Sequence, residues 1–365
     1  MKVAILSMQR IVNFGSFMQA FALKEMIESL GHDVTFLDYK HEPDVANKDN
    51  FKLKLLTALR ETAIWKKQRK LRGIKPTEQE IKYNKSLRLL GISDKRLYRK
   101  KADVLVIGSD EVFNCTQPGA NVGYSLELFG KNNRAKKLVS YAASFGNTTI
   151  QKLKHYSVEK EISELLNNFD DISVRDGNSY DIVTQLCGVS PKIHFDPVLV
   201  GNLENMPVIP VEYEKYVAIY GYANRFTEEE AKAIQKFAHS KGLKTVSLYD
   251  RQNFCDENLC LSPEEILSYI NKAEYVITDT FHGSIFSIIR HKQFASFCRG
   301  TNSIGTTNAQ KLEDMLKRVG LSNRIVTNLN DMDTILDMPV NYGEVDNIRK
   351  AERKRAIEYL SSVIK

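Results

Sequence analysis

No stretch of the sequence approaches the roughly 20 consecutive apolar residues that a helix needs to cross a bilayer. The five cysteines are odd in number, and their spacing fits no zinc-ligand pattern. Neither a Walker pattern nor a G-x-G-x-x-G fingerprint occurs, which argues against the usual nucleotide phosphate loops. Internal repeats, low-complexity tracts and glycine-rich linkers are also missing. We therefore expect a cytoplasmic globular protein with free thiols, no metal and no cofactor.

The composition agrees with this expectation, since 42% of the 365 residues are hydrophobic and 27% are charged. Length and apolar content predict two domains, each with its own core. Positive charge is concentrated in residues 41–100, which contain 17 Lys and Arg against 7 Asp and Glu. This stretch reads either as a solvated helical insertion or as a surface for phosphates, anionic lipids or nucleic acid. Residues 51–72 have the pattern of a basic amphipathic helix, which on the lipid interpretation rests peripherally on the inner face of the membrane.

Short apolar runs alternate with amphipathic helical runs along the whole chain. Continuous apolar runs of this length are typical of strands buried on both faces of a parallel sheet. The predicted strands of the first set are Val3–Ser7, Val34–Tyr39, Val104–Ile107, Leu138–Ala142, Ile172–Arg175 and Ile193–Phe195. Those of the second set are Val217–Tyr220, Thr245–Leu248, Tyr275–Thr278, Phe294–Phe297 and Arg324–Thr327.

Two such sets in series predict an α/β fold with two Rossmann-like, doubly wound domains that face a cleft. We place the first domain at residues 1–200, with the basic insertion at 41–100. The second domain is placed at 201–344. The remaining residues, 345–365, are expected to form a helix that packs back on the first domain.

Two turns of the first domain are candidates for ligand binding. Asn13-Phe-Gly-Ser16 joins the first strand to the first helix, where Gly15 permits close approach and Asn13 and Ser16 add polar side chains. An ordinary capped turn is the alternative. Ile107-Gly-Ser-Asp110 ends a buried strand, so Ser109 and Asp110 are expected at the carboxyl edge of the sheet. Asp110 could accept a proton from a hydroxyl, or it could cap the following helix.

Two further strand ends are expected at the same edge. Ser144 ends a run of small residues and could donate to a ligand, although small residues also permit close packing. Arg175 ends the next strand, and a guanidinium binds carboxylate or phosphate through two parallel hydrogen bonds. A pair with Asp176 or with Asp196 is the structural alternative for Arg175.

The most specific segment is Tyr275-Val-Ile-Thr-Asp-Thr-Phe-His-Gly283, in which a strand runs through a short turn into an apolar helix. His282 and Gly283 fall in the first helical turn, where backbone N–H groups favour an anion. His282 could act as a general acid or contact a phosphate. Thr280 and Phe281 complete the predicted binding residues. A structural histidine is the alternative.

Taken in order, these segments resemble the polysaccharide pyruvyl transferase family over roughly residues 1–330. The resemblance rests on Asn13–Ser16, Gly108–Asn114, Tyr141–Gly146, Ser173–Arg175, Asp196-Pro197 and Thr278–Gly283. It implies a fold like that of GT-B glycosyltransferases, with phosphoenolpyruvate as donor and the hydroxyl pair of a cell-surface polysaccharide or its precursor as acceptor. That role belongs to exopolysaccharide or capsule biosynthesis, in which acceptors are often built on lipid carriers.

The resemblance also implies that Arg175 and His282 lie around the donor. Characterised members can carry a basic residue two positions before the histidine, whereas this chain has Thr280. Arg290, Arg299 or a lysine would then supply the charge. On this interpretation Asp110 is the candidate base for the attacking hydroxyl.

Three alternatives remain open at this stage. The first is a nucleotide-sugar-dependent glycosyltransferase of the same architecture, although Gly283–Ile289 offers no acidic residue for a ribose. The second is a non-catalytic binding protein that kept the fold, favoured by the departure at Thr280-Phe281. A nucleic-acid binder is the third, but few aromatic residues are interleaved with the basic stretch and no RNA-binding motif occurs.

Overall fold

The computed structural model describes residues 1–47, 50, 75–117, 124–203, 205–299 and 307–365. The predicted basic helix at 51–72 lies outside these residues. The described chain divides into two compact units. Unit 1 comprises residues 1–202 and 352–365, and unit 2 comprises residues 203–351. The last helix of the chain therefore begins in unit 2 and ends in unit 1. No helix among the described residues has both the length and the apolar character needed to span a membrane.

Unit 1 is built, within the described residues, on six parallel strands in the order β2-β1-β3-β4-β5-β6. The strands are β1 (Lys2–Leu6), β2 (Asp33–Leu37), β3 (Val104–Asp110), β4 (Lys137–Ala143), β5 (Ser173–Val174) and β6 (Lys192–Ile193). The helices are α1 (Phe14–Glu28), α2 (Glu78–Ser86), α3 (Ile150–His155), α4 (Glu159–Leu166), α5 (Gly177–Cys187) and α6 (Pro197–Val200). Strands β3 and β4 are buried almost throughout, as their continuous apolar runs predict.

The last helix, α12 (Tyr342–Val363), is held to unit 1 near its C-terminal end. The Tyr359 hydroxyl donates to the Ser140 carbonyl at 2.8 Å, and Arg353 donates to the Val200 carbonyl at 3.1 Å. Tyr359 is buried beside the ring of Tyr141. These contacts anchor the C-terminal part of the helix on the sheet of unit 1.

Unit 2 contains five parallel strands in the order β11-β10-β7-β8-β9, counted over its described residues. The strands are β7 (Tyr216–Tyr220), β8 (Lys244–Ser247), β9 (Glu257–Asn258), β10 (Tyr275–Thr278) and β11 (Gln293–Ser296). The helices are α7 (Glu228–Ser240), α8 (Pro263–Lys272), α9 (Phe281–Ile289), α10 (Thr307–Arg318) and α11 (Met332–Asp337). The predicted fold class, α/β with two Rossmann-like sheets, is confirmed.

One predicted strand, Arg324–Thr327, is wrong. Ser322–Arg324 forms a 3₁₀ turn, and Ile325 makes a single bridge to Ser296. Arg324 is fully buried and donates to the carbonyls of Ile335 and Met338 at 2.6 and 2.7 Å. Those carbonyls lie at the end of α11, so Arg324 stabilises that helix end instead of continuing the sheet.

Candidate functional site

Each strand order contains one place where the chain reverses its direction of winding. In unit 1 this switch point lies between β1 and β3, and in unit 2 it lies between β7 and β10. Loops leave a doubly wound sheet in opposite directions at such a point, and the resulting crevice at the carboxyl ends is where these folds bind ligands. The predicted site residues lie at or just after the carboxyl ends of β1, β3, β4 and β5 in unit 1 and of β10 in unit 2. Those at β1, β3 and β10 border the switch points.

In unit 1 a hydrogen bond joins the start of α1 to the carboxyl end of β3. Ser16, in the first turn of α1, donates its hydroxyl to Asp110 Oδ2 at 2.5 Å. Asn13 caps α1, with its Oδ1 accepting from the Ser16 amide at 3.1 Å. The second oxygen of Asp110 accepts from the Glu111 amide at 2.8 Å. The structure therefore brings Asn13, Ser16 and Asp110 together, with Gly15 in the same helical turn.

Gln19 connects this group to Arg175, although the sequence analysis did not identify it. Its Oε1 accepts from the Ser109 hydroxyl at 2.5 Å and from Arg175 Nη1 at 3.3 Å. Gln19 is fully buried on α1, one turn after Ser16. A polar residue on the buried face of an apolar helix was the one signal in the sequence that could have revealed it.

Arg175 is buried, with 5% of its side chain exposed, and its Nη1 lies 2.7 Å from Asp196 Oδ2. Of the two pairs considered from the sequence, the pair with Asp196 is therefore the one that forms. Burial acts to lower the pKa of the Arg175 guanidinium, but nearby carboxylates outweigh it and hold that pKa above its ordinary value. In order of influence these carboxylates belong to Asp196, Asp110, Asp176 and Glu111. A permanently charged guanidinium is thus fixed among acidic groups at the carboxyl edge.

Ser144 lies at the end of β4, and its hydroxyl donates to Asp176 Oδ2 at 2.6 Å. Asp176 in turn caps α5, because its Oδ1 accepts from the amide and hydroxyl of Ser179 at 2.8 and 2.7 Å. Both residues are buried. In this structure Ser144 therefore orients the cap of α5.

In unit 2 the start of α9 is tightly packed against the end of β10. Thr280 is the N-cap residue, and its hydroxyl accepts from the Gly283 amide at 2.9 Å. A Cβ on Gly283 would lie 2.1 Å from Thr278 Oγ1, so only glycine fits this close approach. His282 is the second residue of α9 and is half-buried, with its ring 5.4 Å from that of Phe281 and 6.0 Å from that of Phe286. The residues from Thr280 to Gly283 therefore form one capped helix start that packs closely on the end of β10.

Asp279 occupies the switch point of unit 2 and was not predicted as a site residue. Its Oδ1 accepts from the Tyr222 amide at 3.3 Å, and its Oδ2 lies 3.8 Å from Arg225 and 3.9 Å from Arg299. Burial raises the pKa of Asp279 to about 6, and the two guanidinium groups only partly oppose this. Such a shifted carboxyl at a crevice is typical of functional sites.

The structure also distinguishes between the two arginines that were considered as substitutes for a basic residue at Thr280. Arg299 lies near Asp279 at the switch point, where it makes two hydrogen bonds of 2.7 and 2.8 Å to Glu230. Arg290 follows the last residue of α9 and is therefore at the opposite end of the helix. The position of Arg290 rules it out as a neighbour of the helix start.

A model of the polysaccharide pyruvyl transferase family matches residues 13–297, which is most of the chain. No curated protein matches significantly.

Among solved structures, a UDP-GlcNAc 2-epimerase of Methanocaldococcus jannaschii is 11% identical, with a TM-score of 0.47 over 99% of this chain and 100% of that one. A Streptomyces glycosyltransferase is 10% identical, with a TM-score of 0.44 over 100% and 99% of the two chains. A mutant O-GlcNAc transferase of Thermobaculum terrenum is 12% identical, with a TM-score of 0.40, and here 99% of this chain covers 64% of that one. Likenesses this weak bear on neither reaction nor substrate.

Proposed function

This chain belongs to the polysaccharide pyruvyl transferase family, and from that premise we propose that it transfers the pyruvyl group of phosphoenolpyruvate to a pair of hydroxyls on a glycan. The product would be a cyclic ketal, and the acceptor a cell-surface polysaccharide or its precursor. The family is a family of transferases. The donor, the acceptor and the roles of single residues are our proposal.

The observation that carries the proposal is the buried Arg175–Asp196 pair at the carboxyl edge of unit 1. Phosphoenolpyruvate carries a carboxylate and a phosphate, both of which suit the planar fork of a guanidinium. The pair with Asp196 and the contact with Gln19 hold Arg175 in one orientation. A preoriented charge loses little entropy when a ligand binds, and it offsets the charge that develops on a departing phosphate.

In unit 2 the helix start at Thr280–Gly283 is a second place suited to an anion. The positive end of the α9 dipole favours an anion at its N-terminus. His282 lies in that first turn, and an imidazole can carry a proton near neutral pH. We assign His282 the role of general acid toward the methylene carbon or of phosphate ligand.

The proposed reaction balances in protons. One proton adds to the methylene carbon of phosphoenolpyruvate and makes it a methyl group. A sugar hydroxyl attacks the adjacent carbon and loses its proton. A second hydroxyl then attacks the same carbon, the C–O bond to phosphate breaks with its electron pair, and phosphate departs. The two hydroxyl protons thus end on the methyl group and on phosphate, so the overall reaction needs no oxidant or reductant.

The proposed function is tested on the full chain by two measurements, protection from thermal unfolding and turnover. Phosphoenolpyruvate is expected to raise the unfolding temperature, since a ligand that binds the native state stabilises it. Protection by UDP or GDP instead would favour a nucleotide-sugar glycosyltransferase.

Replacing His282 by Ala is expected to slow phosphate release about 100-fold or more, the usual contribution of a general acid. His239→Ala is the matched control, because His239 is a half-exposed surface residue of unit 2 paired with Asp256. Near wild-type turnover of His282→Ala would contradict the assigned role.

A further inference from the structure

The four carboxylates that raise the pKa of Arg175 differ in their burial and in their hydrogen bonds. Asp110, Asp176 and Asp196 are all buried, with at most 8% of each residue exposed. Each of these three aspartates accepts hydrogen bonds at both of its oxygens. The donors are Ser16 and the Glu111 amide for Asp110, Ser144 and Ser179 for Asp176, and Arg175 and the Val198 amide for Asp196. These three carboxylates therefore organise the edge of the sheet.

Glu111, the fourth carboxylate, is only partly buried. Its Oε2 accepts from Asn114 Nδ2 at 2.8 Å. The carbonyl oxygen of the same Asn114 side chain accepts from the Thr148 hydroxyl at 2.9 Å and from the Thr116 amide at 3.2 Å. Because those two donors fix the amide, its NH₂ group is turned toward Glu111. The carboxylate is therefore held in a defined place on a residue that is only partly buried.

The backbone at Gly146 closes around this pair. A Cβ at that position would lie 2.3 Å from Glu111 Oε2 and 2.4 Å from Asn114 Nδ2. Gly146 also has a φ of +55°, which favours glycine. The loop after β4 is therefore shaped to admit the carboxylate–amide pair of the loop after β3. Such support by surrounding residues is typical of a group that must be placed accurately.

We propose that Glu111, and not Asp110, is the general base of the reaction, an inference that rests on the proposed function. Its carboxylate takes the proton of the attacking sugar hydroxyl as the oxygen bonds to the central carbon of the pyruvyl group. It then returns that proton to the phosphate as the C–O bond to phosphate breaks. The proton of the second hydroxyl restores the general acid that protonated the methylene carbon. Asp110 instead holds Ser16 and the start of α1 in place.

The decisive variant is Glu111→Gln, which keeps the shape of the side chain and an oxygen to accept from Asn114. Two effects are expected, slower turnover and tighter binding of the donor. The turnover number should fall about 100-fold or more, because a glutamine accepts no proton. The dissociation constant of phosphoenolpyruvate should also fall, roughly three- to tenfold, because a negative charge near the anionic donor is removed. A merely structural role would weaken binding and turnover together.

Binding is measured by calorimetric titration of phosphoenolpyruvate, and turnover by phosphate release with p-nitrophenyl hexosides as acceptors. Glu161→Gln removes the same charge from the exposed surface of α4, so it should change neither quantity. The donor titration needs no acceptor, and unchanged binding of phosphoenolpyruvate by Glu111→Gln would overturn the inference. Wild-type turnover in Glu111→Gln would overturn it as well. If the wild-type protein binds no phosphoenolpyruvate, the proposed function itself fails.

Discussion

Gly283 offers a direct test of the helix start that carries His282. A Cβ at this position would lie 2.1 Å from Thr278 Oγ1, 2.7 Å from Thr278 Cβ and 2.8 Å from Thr280 Oγ1. Thr278 cannot easily move away, since its hydroxyl donates to the Tyr220 carbonyl at 2.6 Å. Gly283→Ala must therefore displace the first turn of α9 from the end of β10.

The expected loss of stability has two parts. Forcing an extra methyl group into a packed site destabilises by about 1–3 kcal/mol. Displacing the helix start weakens the Thr280 cap, which contributes about 1 kcal/mol more. The sum, about 2–4 kcal/mol, corresponds to a fall in unfolding temperature of roughly 5–15 °C for a unit of this size. Phosphate release should fall at least about tenfold, since His282 moves with the turn.

Differential scanning calorimetry and the phosphate-release assay measure the two effects. Gly343→Ala is the matched control in the same unit, because a Cβ there meets only Asn341 Oδ1 at 3.4 Å, an ordinary contact. Alanine in that helix should be neutral or slightly stabilising. A Gly283→Ala protein with wild-type stability and turnover would refute the close approach of α9 to β10.

Two further predictions concern the buried carboxylates. Asp196→Asn removes the carboxylate that is paired with the buried Arg175 guanidinium, so urea unfolding should show a loss of up to about 3–5 kcal/mol. An unchanged midpoint would contradict this. The pKa of Asp279 is raised in the folded protein from 3.8 to about 6, so the folded state holds its proton more tightly. Stability from this group is present below pH 4 and is lost as pH rises through 6, by about 3 kcal/mol. Asp279→Asn removes that pH dependence. The free energy of unfolding of the variant, compared with that of the wild type, should therefore improve from pH 4 to pH 7. The same difference between variant and wild type at both pH values would contradict this.

Strands and helix caps followed from the sequence because their signals are local. The apolar run at Tyr275–Thr278 is observed as β10 with the predicted bounds. Glu265 accepts from the Ser262 amide at 2.7 Å, and Glu230 accepts from the Thr227 amide at 2.9 Å, so both helix starts form the capping box that a Ser/Thr-x-x-Glu pattern encodes locally. The edge strand β9, Glu257–Asn258, was missed, since two polar residues carry no periodic signal.

The site was less accessible because its contacts join distant parts of the chain. Gln19 meets Ser109 and Arg175, which are 90 and 156 residues away. Asp279 gains its shifted pKa from burial and from Arg225 and Arg299, and no local pattern records those neighbours. The strand ends themselves were visible in the sequence, but which side chains would share hydrogen bonds depends on sheet order.

The proposed function requires phosphoenolpyruvate as the donor and a glycan hydroxyl pair as the acceptor. The most direct measurement incubates the full chain with phosphoenolpyruvate and p-nitrophenyl hexosides, then quantifies released phosphate and pyruvate ketal by NMR. A pyruvyl transferase should form phosphate and ketal in equal amounts, with neither formed when the donor is omitted. Transfer of a sugar from a nucleotide sugar to the same acceptors, with no ketal from phosphoenolpyruvate, would contradict it.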